Sequence, residues 1–311
     1  MSDRWCVALA LAVCAGAMLA LDIPVVLGVV AVAVALLARR PPLLVAGGFL
    51  LASALAVRAE AGLTPPATAA VTGDVVLLSD PAPCRGALRA EVRVGHRRVE
   101  AWARGSAAAA LRDRLAGEVV QLRGRLGPVP DRSRSYLRTR HVGARMEVGA
   151  VRGWRPGSLA SRSANGLRRT LEGGADGLGP DRRALFLGMV IGDDRAQPVE
   201  VADDFRAAGL THLLAVSGQN VAFVLVLARP LLWRLGFWTR WAATLVVLAV
   251  FALVTRFEPS VLRATAMAAI GATAMAAGRP SSRLRVLALA AAALVLIDPF
   301  LVSSLGFRLS V

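Results

Sequence analysis

Two blocks of membrane-length apolar sequence, separated by a charged segment of β periodicity, constrain this chain more than anything else in it. The first block holds apolar runs at residues 5–21, 23–38 and 43–57; the second holds runs at 210–232, 241–255, 260–277 and 286–297. A helix needs about 20 apolar residues to cross the hydrocarbon core of a bilayer, so these runs read as transmembrane spans. A mean hydropathy of +0.56 agrees, because a globular core cannot absorb that much apolar surface. The opening run reads as a retained span rather than a signal peptide. It has no small-x-small cleavage site before polar sequence, and a second apolar run follows directly.

Charge placement gives the spans a direction. The net charge is +16, and all 37 Lys-plus-Arg positions are Arg, which by itself says nothing about phosphate recognition. Arg4 and Arg39-Arg40 lie on one side of the first block, and the positive-inside tendency puts them in the cytoplasm and the chain after Val57 outside. In the second block the connecting segments carry Arg234 and Arg240, then Arg256 and Glu258, then Arg279, Arg283 and Arg285, then Asp298. With the middle segment outside, the Arg-richer connections fall inside, so the two blocks agree. Cys6, Cys14 and Cys84 form no CxxC pair and no metal-ligand spacing, and all three read as structural.

Residues 64–155 change period. Leu88, Ala90, Val92 and Val94 alternate with Arg89, Glu91 and Arg93; after a Gly95-His96 turn, Val99, Ala101 and Ala103 alternate with Arg98, Glu100, Trp102 and Arg104. That is a β-hairpin with one buried face. A helix over 106–116, a strand within 117–126 and a last strand over 142–148 complete about five strands with one interposed helix, which suits a small barrel of the OB type. The segment holds 17 Arg against 8 Asp and Glu, a net +9, and such a field concentrates polyanions. Arg89, Arg93, Arg98, Arg104 and Trp102 share the polar face of the hairpin, a mix of charge and stacking plane that suits single-stranded nucleic acid. Glu91 and Glu100 lie on the same face, and cross-strand ion pairs would account for part of that Arg content. After it, residues 159–171 read as an amphipathic surface helix carrying Arg162, Arg168 and Arg169, and 199–208 as a second surface helix; 182–192 is too short to span.

The candidate site is polar sequence inside an apolar run. In Thr211-His-Leu-Leu-Ala-Val-Ser-Gly-Gln-Asn-Val221, Ser217 and Asn220 share a face on a continuous helix, as do His212 and Gln219. Gly218 permits either close helix packing or a break exposing backbone to a water-filled path. Polar groups at bilayer depth face protein, water or a substrate path, so two readings stand: a lined channel, or interhelical hydrogen bonding. Asp193-Asp194 can bind a cation, accept from Arg, or end an apolar helix in solvent. Arg263, a turn inside a span, can meet phosphate or snorkel to the surface.

These residues resemble the ComEC family of bacterial competence proteins. The family pattern Gly-Leu-x-His-Leu-Leu-Ala-Ile-Ser-Gly-Leu-His-Val is matched at Gly209, Leu210, His212, Ser217 and Gly218, while Gln219 and Asn220 replace Leu-His. Gly188 with Gly192-Asp193 resembles its Leu-Gly-x-x-x-Gly-Asp segment, and Pro259-Ser260-Val-Leu-Arg263 a later one. The 117–126 run and Tyr136-Leu137-Arg138 with Gly143-Ala144 resemble its outer soluble domain. The resemblance implies a DNA-internalisation channel in the inner (cytoplasmic) membrane, multi-pass, with its N-terminus cytoplasmic. Three spans over 1–63 would be followed by an extracytoplasmic OB-like domain over 64–155, interfacial helices over 156–209 and a competence-type membrane region over 210–311. Partners would be single-stranded DNA, membrane lipid, DNA-receptor and ATPase components of a competence apparatus, and further copies of the chain. His212, Ser217, Gly218, Gln219, Asn220, Asp193 and Arg263 would line the channel.

No catalytic constellation, phosphate loop or metal cluster is visible in the sequence, so neither catalysis nor a cofactor is expected; nuclease activity would belong to a metallo-β-lactamase-like domain outside these residues. Two alternatives remain: a transporter or scaffold whose β domain binds a protein, glycan or lipid headgroup, and a truncated, inactive remnant.

Overall fold

The computed structural model describes residues 2–64, 67–210, 214, 216–279 and 281–308. In chain order the elements are helices α1 (Asp3–Leu19), α2 (Val25–Ala38) and α3 (Pro41–Ala61), then strands β1 (Ala69–Leu77), β2 (Ala82–Cys84), β3 (Ala87–Val94) and β4 (Arg97–Ala103). Helix α4 (Gly105–Leu111), strand β5 (Val119–Gly127), helix α5 (Asp131–Arg138) and strand β6 (Val142–Arg155) follow. The rest is helical: α6 (Leu159–Gly174), α7 (Pro180–Ile191), α8 (Val199–Ala207), α9 (Gly218–Leu232), α10 (Phe237–Val254), α11 (Pro259–Ala276), α12 (Arg283–Ile297), a 3-10 turn at Pro299–Ser303 and α13 (Leu305–Arg308). The chain divides into a helical unit, Met1–Ala61 with Ser217–Ala252 and Phe257–Val311, and a mixed unit, Gly62–Val216 with Leu253–Arg256.

In the helical unit α3 packs on α1 and α2, α1 on α12, and α11 on α9 and α12. Small residues let the backbones approach: a Cβ on Gly28 would lie 2.7 Å from Leu51 Cα, and one on Gly47 2.9 Å from Val32 N. Each apolar run contains a helix, but the fourth differs from the expected continuous span 210–232. Helix α8 stops at Ala207, Gly209 turns the chain at φ +71°, and α9 begins only at Gly218, with Ser217 extended as its N-cap. Hydropathy counts apolar side chains and does not register where the i to i−4 ladder begins. Among the described residues two helices, Pro41–Ala61 and Phe237–Val254, are long and apolar enough to cross a membrane; Val25–Ala38 and Gly218–Leu232 are shorter apolar helices.

The mixed unit carries a six-stranded sheet in the order β1-β5-β6-β4-β3-β2, with a further pairing of β1 with β3. The β4–β6 pair is parallel and the others are antiparallel. The expected hairpin is β3–β4, in register from Leu88↔Ala103 to Val94↔Arg97. Its apolar positions Leu88, Ala90, Val92, Val99, Ala101 and Ala103 join Val120, Leu122 and Met146 in one buried core closed by Ala107 and Leu111 of α4. The register shifts twice between β5 and β6, the second time at Gly124, where a Cβ would come within 2.6 Å of Glu147 O.

Leu122 is 1% exposed in this core. Leu122→Ala is expected to lower the opening free energy of β5 and β6 amides by about 2–5 kcal/mol in hydrogen exchange, leaving α1–α3 unchanged. Unaltered exchange in β5 and β6 would contradict this core.

Candidate nucleic-acid interface and its buried support

The outer face of the sheet is built by strand alternation. Side chains opposite the core point outward, which places Arg89, Glu91 and Arg93 of β3 against Trp102, Glu100 and Arg98 of β4. The parallel neighbour β6 sets Arg145 beside Glu100 and Glu147 beside Trp102, and β5 sets Arg125 beside Glu147.

Glu100, 3% exposed, organises the centre. Its Oε2 accepts from Arg145 Nε at 3.0 Å, Arg145 Nη2 at 2.8 Å and Trp102 Nε1 at 2.8 Å, while Arg89 lies 3.9 Å from Oε1. The Arg145 guanidinium stacks 4.8 Å from the Trp102 ring centroid. Indole orientation is therefore fixed by a hydrogen bond at its edge and a cation on one face. Glu91 pairs with Arg140, whose Nη1 donates to the Tyr136 hydroxyl at 2.7 Å. The carboxylates expected to consume part of the Arg content do so.

The arginines that remain fall in two places. Arg93 and Arg98 oppose each other directly near the hairpin turn, an unfavourable cross-strand pair that an anion would relieve. About 13 Å along the strand, at roughly 3.3 Å per residue, a groove of about 420 Å³ is lined by Trp102, Arg104, Arg123, Arg125 and Glu147, together with Gly124 and Gly149. Arg104, Arg123 and Arg125 are exposed and make no ion pair among the described residues. Of the hairpin residues expected to meet DNA, the structure brings Trp102 and Arg104 together, commits Arg89 to Glu100, and leaves Arg93 and Arg98 at the far end. Sequence reasoning missed Arg123 and Arg125. Their alternation with Val120 and Leu122 was visible, but the pairing of β5 with β6 that carries them to Trp102 was not.

Elsewhere in the same unit is a buried ionic network centred on Arg168 of α6, which is 0% exposed. The expectation of a surface cation is overturned here. Arg168 Nη1 donates to the carbonyls of Ile191 at 3.0 Å and Val254 at 2.7 Å, the last residues of α7 and α10. Terminal carbonyls and the negative end of the helix dipole favour a cation at both. Its Nη2 lies 3.0 Å from Asp80 Oδ2 and 3.3 Å from Asp193 Oδ2. Asp80 also takes Arg256 through two bonds and the Ala116 amide at 2.7 Å, while Arg256 reaches Asn165 Oδ1 at 2.8 Å. Arg195 holds Asp193 through Nε at 2.7 Å and Nη2 at 2.5 Å.

Of the expected channel residues, Asp193 is thus 7% exposed and fully engaged by arginines, whereas its neighbour Asp194 is exposed. His212 lies outside the described residues. Ser217, Gly218, Gln219 and Asn220 form the N-cap and first turn of α9; Gln219 is exposed, and the Asn220 amide donates to Ser217 O at 3.1 Å. Gly218 packs on α11, where a Cβ would meet Ala264 Cβ at 3.0 Å. The structure therefore brings this polar helix start beside Ala264, the residue next to Arg263. No group of three or more possible metal ligands occurs among the described residues.

Burial opposes ionisation of Asp80, but the Arg256 and Arg168 charges outweigh it and hold the carboxyl below its ordinary value. Burial likewise opposes Asp193, and the Arg195 hydrogen bond and charge, with Arg168, hold it low.

Comparison with known proteins adds a family match over part of the chain. Residues 189–311 match the family described as Competence protein, so the resemblance drawn from the residues is borne out over that segment. The uncharacterized protein YcaI of Escherichia coli (strain K12) is 30% identical over 136 residues, which is 41% of this chain and 18% of that protein. The chain therefore spans less than a fifth of that relative's length. No solved structure matches.

Replacing Arg168 by Met leaves two buried carboxylates short of a cation and is expected to cost about 3–5 kcal/mol of stability in thermal or denaturant unfolding. Because Asp80 and Asp193 titrate below the ordinary 3.8, their contribution is complete above that pH and is lost as pH falls through their lower folded values. The Met variant should consequently lose less on acidification than the parent chain. Equal stability of the two chains at pH 7 would contradict the assignment.

Proposed function

We propose that this chain, competence-type over residues 189–311, works in DNA uptake as a multi-pass component of the cytoplasmic membrane that passes a single strand inward. The observation that carries this reading is the competence-family match itself. Geometry supports each half of it. The order of pairings β1-β5-β6-β4-β3, returning to β1, with a parallel pair and a helix between β4 and β5, supports a small OB-type barrel. On its outer face the Trp102 groove offers one oriented indole and three uncommitted guanidiniums, the combination that tracks a single strand without reading its sequence.

Membrane residence is supported by the two span-length helices and by the aromatic turn joining α9 to α10. Trp233, Phe237 and Trp238 are all more than half exposed there, with Arg234 and Arg240 beside them, as expected of residues at headgroup level. Within the helical unit, the broken helix start at Ser217-Gly218-Gln219-Asn220 presents the N-terminal end of α9, and the dipole of such a terminus favours anions. We assign the strand's path to that start and to Arg263 of the neighbouring α11. The carboxylate of Asp193 serves the Arg168 network in this reading and supports the outer domain instead of touching the strand. Receptor and ATPase partners, and a separate nuclease, belong to the same proposal.

Trp102→Ala in the full chain is expected to weaken binding of a single-stranded oligonucleotide by about 1–3 kcal/mol, with the domain still folded. An unchanged Kd would remove Trp102 from the path. Gly218→Leu, which must push α9 from α11, is expected to abolish uptake in a competent cell dependent on this chain. Ser217→Ala and Asn220→Ala reduce uptake at normal membrane abundance, since a lost interhelical hydrogen bond averages only about 0.6 kcal/mol. Normal uptake in Gly218→Leu would contradict the path; loss fully explained by protein level would assign these residues to packing.

A further inference from the structure

The mixed unit contains a larger cavity, of about 750 Å³, that the DNA reading does not use. Pro81, Pro83, Leu88 and Leu187 give it an apolar lining, and its charged lining is Arg85, Arg112, Arg183 and Glu172, with the Asp193–Arg195 pair committed to the Arg168 network. Its volume is that of a small-molecule site, mostly apolar with a few convergent polar groups.

Two features single out its charged groups. The first is the turn that carries Arg85. Cys84 pairs with Ala87, so Arg85-Gly86 is a two-residue hairpin loop, and both residues have positive φ, +49° and +74°. That geometry is the mirror-image turn in which Asn, Asp or Gly normally occupies the first position; an arginine there is conformationally costly. Arg85 and Arg112, one from this turn and one from the end of α4, have no ion-pair partner among the described residues. The second is Glu172. Its side chain is 23% exposed, its Oε1 accepts no hydrogen bond, and Arg195 Nη2 pairs with it only loosely at 3.7 Å. A partly exposed carboxylate held by one loose ion pair has acceptor capacity left for a ligand donor.

We propose that this cavity binds a small organic phosphate, its phosphate held by Arg85 and Arg112 and a hydroxyl or amino group of its body donating to Glu172. Arginine pairs suit phosphate because their planar N–H forks match its oxygens. The apolar walls accommodate the carbon skeleton between the two ends. A nucleotide and a lipid headgroup both have this chemistry.

Cys84, half-buried in the wall, reports occupancy. In the full chain carrying Cys6→Ala and Cys14→Ala, the rate of Cys84 alkylation by iodoacetamide is followed against deoxyadenosine monophosphate, glycerol 3-phosphate, inorganic phosphate and, at matched ionic strength, sulfate. At least one organic phosphate is expected to slow alkylation saturably, and the tighter of the two identifies the source. Arg85→Asn with Arg112→Gln should raise the half-protecting concentration at least tenfold while the Tm stays equal or rises, since Asn suits the turn better. Glu172→Gln should weaken the organic phosphate but not inorganic phosphate. Equal protection by sulfate, meaning an adventitious ion only, the absence of saturable protection, or an unchanged midpoint in the double arginine variant would each overturn the site.

Discussion

The mixed unit depends on the burial of one guanidinium. Arg168 is fully enclosed, and a charge in that position is tolerable because two helix-terminal carbonyls and the carboxylates of Asp80 and Asp193 offset both its burial and the neighbouring charges of Arg256 and Arg195. The residues it gathers lie far apart in sequence, in the turn after β1, in α6, at the end of α7 and at the end of α10. Such a network contributes little net energy over a hydrophobic plug of the same shape, but it is intolerant of losing a member. It fixes which segments meet, and so fixes the strand ends near Asp80 that lead into the cavity wall and the hairpin.

The same economy of charge explains the outer face. Most acidic groups on the β3, β4 and β6 surface are already bound to arginines: Glu100 to Arg145 and Arg89, and Glu91 to Arg140. What a polyanion would find is the residue of that pairing, Arg104, Arg123 and Arg125 around Trp102, and Arg93 with Arg98 near the hairpin turn. Net charge overstates the surface available, since a surface pair that is already satisfied offers a phosphate less than a free guanidinium does.

How much of this was legible in the sequence depends on the range of the interaction. The β3–β4 hairpin, its turn and its buried face followed from period-2 alternation, which is local. Six of the seven apolar runs became helices close to their expected bounds for the same reason. Arg168 was not legible: on α6 it sits beside Arg169 in a pattern identical to a solvated face, and its burial is decided by carboxylates 88 positions before it and 25 after it. Asp193 and Asp194 are indistinguishable as letters, yet one is enclosed by Arg195 and the other faces outward. The start of α9 failed differently, because Ser217 to Asn220 read as a polar cluster inside one continuous span until the backbone shows Ser217 as an N-cap.

The claim that this chain handles a single strand of DNA through the Trp102 groove is tested most directly by the salt dependence of oligonucleotide binding. Kd is measured across salt concentrations for the full chain and for a variant with Arg104, Arg123 and Arg125 all changed to Gln. Each phosphate contact on a single strand adds about 0.7 to the log–log slope, so losing three contacts should flatten it by about 2. An identical slope in the two proteins, or binding by the parent chain that does not respond to salt at all, would contradict the account.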